Sequence, residues 1–186
     1  MKRILIFIFF IVTQISQSQI NNTDLKQLKN LVNEFDVVLK KYYPKTESNK
    51  AYQNYLEDLL QKKINPNIIN EKNSFNAIKK FTEDSTFKKV WKLNPVKEEN
   101  KKFIIDYNGD FYEYITKNCD QKNLKQSLLE FKKLNNNHNA KFKPSPYILV
   151  SVFTTYLGEN DYDVENTKLA IAIMFYYDII AEHKIK

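Results

Sequence analysis

One cysteine, two glycines, five prolines and two histidines are spread over the 186 residues of this chain, and arginine occurs only at Arg3. Each shortage closes off a class of protein. Cys119 alone cannot form an intrachain disulfide, so the chain is not a small scaffold stapled by disulfides. Its thiol follows Ile115 by four residues, on the apolar face of an expected helix, and reads as a small buried hydrophobe. Gly109 and Gly158 supply little of the turn chemistry that an all-β fold needs. Neither His138 nor His183 has a second ligand at helical spacing, so no zinc motif is written in the sequence. Nucleophile elbows, phosphate loops, dinucleotide fingerprints and metalloprotease helix motifs are absent as well. No metal, cofactor or catalytic residue is therefore expected.

The formal charge of +7 invites a nucleic-acid reading. Arginine's bidentate fork, which suits phosphates and guanine edges, is missing after Arg3. The lysine pairs Lys40-Lys41, Lys62-Lys63, Lys79-Lys80 and Lys132-Lys133 fall near expected helix C-termini, where the helix dipole favours cations. No nucleic-acid partner is expected.

What the chain has in quantity is apolar residues at helical spacing. Met1 to Ser18 stands apart: Lys2 and Arg3, then an apolar run from Ile4 to Val12, then a polar exit with Ser16 and Ser18. That is the layout of a secretory signal peptide, with an apolar run too short to span a bilayer. Cleavage after Ser18 leaves 19–186 as a single domain, extracytoplasmic (periplasmic or secreted), with no transmembrane segment. Leu25, Leu28, Val32, Phe35, Leu39 and Tyr42 form a helical stripe that Pro44 stops. Further helices carry Tyr52, Tyr55, Leu56 and Leu59, then Phe75, Ile78 and Phe81 behind a Ser74 cap, then Phe87 to Trp91. Asp120 opens another, with Leu124, Leu128 and Phe131 on one face. Between Phe103 and Cys119 two signals compete. Ile104, Tyr107, Phe111 and Ile115 make a helical stripe, while Asn108-Gly109 is a hairpin signal. Two helices joined or kinked at Gly109 are favoured, with a hairpin as the alternative. Lys102–Asp106 and Glu113–Lys117 then read as surface pairs one helical turn apart.

Two helices are the most hydrophobic of the chain. Ser145-Pro146 opens one that runs to Leu157, with Gly158 as its stop. Val164 to about His183 is the other, with a single charge, Asp178, between Ala170 and Ala181. A helix apolar all round is a buried one, so the pair is expected to stand antiparallel at the centre. Asp178 should then face a helix margin, or meet a lysine or a tyrosine hydroxyl. The fold class is all-α: a single-domain bundle of about six to eight helices around the buried C-terminal one. Glu159, Asp161, Asp163 and Glu165 alternate in the loop before it but lack the EF-hand glycine and terminal glutamate. Asp161 or Asp163 is expected to cap the final helix instead.

Tyrosine joins a flat apolar body to a hydroxyl and suits interfaces. Tyr42, Tyr43, Tyr52, Tyr55, Tyr112 and Tyr114 are the candidate binding surface. The function expected is partner binding by an exported, non-enzymatic protein of the inhibitor or immunity type, the partner being another exported or cell-envelope protein. The rival is a small extracytoplasmic hydrolase that uses carboxylates and a histidine in a groove between helices.

Overall fold

A computed structural model describes residues 19–94, 102–137 and 145–185, without the side chains of 135–137. The expected signal peptide, Met1 to Ser18, lies outside the described residues, as does His138. The described residues form the helical bundle expected, eight helices with one small sheet.

Helix α1 (Asn22–Tyr42) has Asn21 as its N-cap. Asn21 accepts the Asp24 N–H at 2.9 Å, and Asp24 accepts the Asn21 N–H at 2.8 Å, a capping box. Asp24 also takes bonds from Thr86 and Lys89, at 2.7 Å each. Helix α2 (Ser48–Leu60) ends where Lys62 adopts φ 58°, the left-handed turn that glycine commonly fills. A 3₁₀ turn (Ile68–Asn70) leads to α3 (Lys72–Phe81). Ser74 does not cap α3. It lies inside the helix, fully buried, and accepts the Tyr176 hydroxyl at 2.8 Å.

After the short α4 (Phe87–Val90), β1 (Trp91–Leu93) pairs antiparallel with β2 (Phe103–Ile105), placing Trp91 opposite Ile105. Phe103 to Ile105 is thus neither helix nor one arm of a hairpin at Asn108-Gly109. The turn at 107–109 feeds a helix instead, and β2 pairs backwards in sequence. Gly109 is the N-cap of α5 (Asp110–Lys117), where a Cβ would come within 3.0 Å of the Asp106 side chain. Lys102 and Asp106 are therefore not one helical turn apart, and Asp106 pairs with Lys92 across the ribbon at 2.7 Å. Glu113 and Lys117, which are helical, do pair, at 2.6 Å. Cys119, just past α5, is buried, and burial pushes its thiol pKa up.

Helix α6 (Lys122–Asn137) carries Leu124, Leu128 and Phe131 into the core. Helix α7 (Pro146–Thr154) starts as expected: the Ser145 hydroxyl accepts the Ile148 N–H, at a long 3.5 Å, with proline at the first helical position. It stops before Gly158, which opens a 3₁₀ turn (Glu159–Asp163) rather than closing the helix. Asp161 caps that turn through the Gly158 N–H at 2.7 Å and takes the Asn123 side-chain N–H at 2.9 Å. The final helix has Val164 as its N-cap, with no side-chain cap, so Asp161 and Asp163 do not cap it.

Helix α8 (165–184) runs as α-helix, as π-helix over Ala172–Tyr177, and as α-helix again. Met174, Phe175, Tyr176 and Tyr177 stand in a row and are all buried. All four lie within the π-helical stretch. Tyr176 stacks on Phe35 of α1 at 4.3 Å, while Phe175 meets Phe131 and Phe153 on the other side, at 5.9 and 4.9 Å. Tyr55 donates to the Phe175 carbonyl at 3.2 Å. The core is built around this rod, as the sequence predicts. Asp178 is 4% exposed and accepts the Ile105 N–H of β2 at 2.9 Å.

The other strongly apolar helix does not pair with it along its length. α7 packs mainly on α2 and α6, with the Ser127 hydroxyl of α6 bonded to the Phe153 carbonyl at 2.8 Å. It reaches α8 through Phe153. The expected antiparallel pair at the centre does not form, because α1, α2 and α3 occupy those sides of α8 through Phe35, Tyr55 and Ser74.

Candidate binding groove

The six tyrosines chosen from sequence do not form one surface. Tyr52, Tyr55 and Tyr112 are buried, and their hydroxyls are spent inside: on Asp36 at 2.9 Å, on the Phe175 carbonyl at 3.2 Å and on the Leu128 carbonyl at 2.6 Å. Burial drives all three phenol pKa values far above the usual range. Tyr42 and Tyr43 are half-buried and donate to Glu71 at 2.6 Å and Asp58 at 2.8 Å. Tyr114, also half-buried, stands on a polar cleft of about 360 Å³ between α1 and the start of α8. Charges in that cleft already answer one another: Lys29 pairs with Glu165 at 2.6 Å, and Asp163 takes the Asn49 side chain at 3.2 Å.

A different concavity has the character of a binding site. It is a groove of about 200 Å³ between the end of α2, the start of α7 and the last turns of α8. Leu59, Leu149, Met174, Phe175 and Ile179 give it an apolar lining. Asp178, Glu182 and His183 form its polar edge. Their spacing places Asp178 and Glu182 one turn apart on the same face of α8. Asp178 is the more deeply held, through Ile105; Glu182 is half-exposed and His183 exposed. Nearby Tyr107 is buried, which with the charges of Asp178 and Glu182 raises its phenol pKa.

The rim beside α7 is apolar. Tyr147 is 36% exposed and Ile148 50%, and the Lys62 ammonium lies 4.7 Å from the Tyr147 ring centre. The outer face of α7 continues through the exposed Ser151 and Thr155. No residue from Pro146 to Leu157 carries a charge. The sequence did hold a signal for this face: Ser151, Thr154 and Thr155 make a polar stripe on α7 that the central stretch of α8 lacks.

Among the described residues, no group of three His, Cys, Asp or Glu side chains is placed to hold a metal ion, and no helix is long and apolar enough to cross a membrane. No protein-family model, curated protein or solved structure matches the chain.

Proposed function

We propose that this chain is an exported helical protein that acts by holding another exported or cell-envelope protein, in the manner of an inhibitor or immunity protein. The contact surface is the outer face of α7 together with the groove it walls. One observation carries this reading: a charge-free helix leaves Tyr147 and Ile148 in solvent beside an apolar groove. Large exposed apolar side chains that adjoin a concavity are what a partner covers, and aromatic anchors near a pocket supply most of an interface's energy. The test uses the mature chain as bait in the envelope and medium of its own cells, next to Ile148→Asp. The expected result is a defined partner that Ile148→Asp fails to retain; retention of the same proteins by both baits would overturn the reading.

The hydrolase reading has its own observation, since Asp178, Glu182 and His183 share the groove. Both carboxylates come from one wall, however, whereas a carboxylate pair that cleaves a glycoside flanks the bond. Among the described residues, the groove lining contains no serine, threonine, cysteine or lysine to serve as nucleophile.

A further inference from the structure

We infer that removal of the signal peptide creates an ion pair, in which the new α-ammonium of Gln19 meets the Asp110 carboxylate at the start of α5. This rests on the export reading above, with cleavage after Ser18. Hydrolysis of the Ser18–Gln19 peptide bond by a signal peptidase consumes one water. Ser18 departs with a carboxylate, and Gln19 keeps an α-amine that is protonated below its ordinary pKa of about 7.7–8. The precursor cannot make this pair, because a peptide nitrogen at Gln19 carries no charge.

Position is the first argument. Ile20 is 9% exposed and belongs to the core. The Lys89 ammonium of α4 donates to the Gln19 carbonyl at 3.2 Å and to Asp24 of α1 at 2.7 Å. Gln19 is thus fastened through its own carbonyl and through the residue that follows it. Together with Ile20, Asp110 and Glu113 it lines a pocket of about 100 Å³. A charge created at Gln19 therefore appears beside two acids, at little further cost in ordering the chain.

Charge is the second argument. Asp24 pairs with Lys89 and Asp106 with Lys92, both at 2.7 Å, and Glu113 pairs with Lys117 at 2.6 Å. Among the described residues, Asp110 has neither an ion pair nor a side-chain hydrogen bond. It is half-buried, and burial raises its carboxyl pKa; Glu113, Asp24 and Asp106 add to the rise and Lys89 opposes it. The two nearby cations, Lys89 and Lys117, are each held by another acid. A further cation is what this corner lacks, and processing supplies one at the residue already lodged there.

The test uses the protein recovered from the envelope or medium of its own cells, its N-terminus read by mass spectrometry. The α-amine is labelled with an amine-reactive ester across about pH 6 to 10, and the N-terminal peptide is quantified after digestion. The pH profile separates a shifted titration midpoint from slow access of the reagent. The expected result is an amine that reacts about threefold more slowly at neutral pH than in Asp110→Asn, through a higher midpoint. Glu113→Gln, which removes an acid already holding Lys117, should change the rate less. Thermal melts show that each variant is folded. Equal midpoints in the native protein and Asp110→Asn would overturn the inference, as would equal shifts in the two variants. An exported chain that starts elsewhere, or a Gln19 closed to the neutral lactam with loss of ammonia, would overturn it too. The two readings fail separately: Met1 to Ser18 retained on the protein removes export and the ion pair together, whereas a start at Gln19 with equal midpoints removes the pair and keeps export.

Discussion

α7 and α8 are the two most apolar helices of the chain, and the fold uses them in opposite ways. Across Ala170 to Tyr177 every residue of α8 is buried, and its large side chains are shared between α1, α2, α3, α6 and α7. α7 buries Leu149, Val150 and Phe153 and leaves Tyr147, Ile148, Ser151 and Thr155 to water. What separates them is the number of faces that find a neighbour. An apolar helix with an open face exposes surface that folding alone has not used.

The largest expected effect breaks the equivalence of the two helices directly. Ile173→Lys puts an ammonium where no solvent reaches and should cost more than about 3 kcal/mol, enough to unfold a marginally stable domain. Denaturant midpoints measure it. A near-normal midpoint would mean that α8 also has an open face.

The next effect concerns what α8 needs from the sheet. Asp178→Ala leaves the Ile105 N–H without its acceptor and should cost about 1–3 kcal/mol, while Asp178→Asn, which keeps an acceptor oxygen, should cost less. Equal losses in the two variants would show that the bond to β2 does not hold the ribbon against α8.

Asp161, in the turn that joins the two helices, comes third. Asp161→Ala loses the bonds to Gly158 and Asn123 and should cost about 1 kcal/mol, the worth of a cap. Thermal melts should show the same loss with and without chelator; a melting temperature that rises with added calcium and responds to this variant would make the acidic loop a metal site.

The smallest effect falls on α7. Ile148→Asp and Ile148→Lys should each change stability by no more than about 0.5 kcal/mol, because the side chain is already half in water. That small change makes the position a test of the proposed contact that leaves the fold undisturbed.

Helix α8 was legible from its sequence because an unbroken apolar run admits one reading, and α1 because its stripe and Pro44 agree. The ribbon was not. β1 and β2 have three residues each, too short for an alternating pattern to outweigh the helical spacing of Ile104, Tyr107 and Phe111, and their pairing joins residues that no local motif links. The Ile105 N–H that Asp178 accepts was hidden for the same reason, since it lies on an unforeseen strand. The tyrosines misled because their hydroxyls were taken as a reason to face water, whereas Asp36 and two main-chain carbonyls satisfy Tyr52, Tyr55 and Tyr112 inside. α7 was placed at the centre on hydropathy alone, and its stripe of Ser151, Thr154 and Thr155 was the feature that contradicted this.

The central claim is that the open face of α7 is a contact surface and not merely exposed. Photo-crosslinking tests it most directly, with benzoylphenylalanine placed at position 148 and, separately, at position 37, where Val37 is 57% exposed on α1 away from the groove. In the native envelope, position 148 should yield an adduct of one defined mass and position 37 none. Equal adducts at both positions, or none at 148 while the protein is folded and exported, would contradict the account.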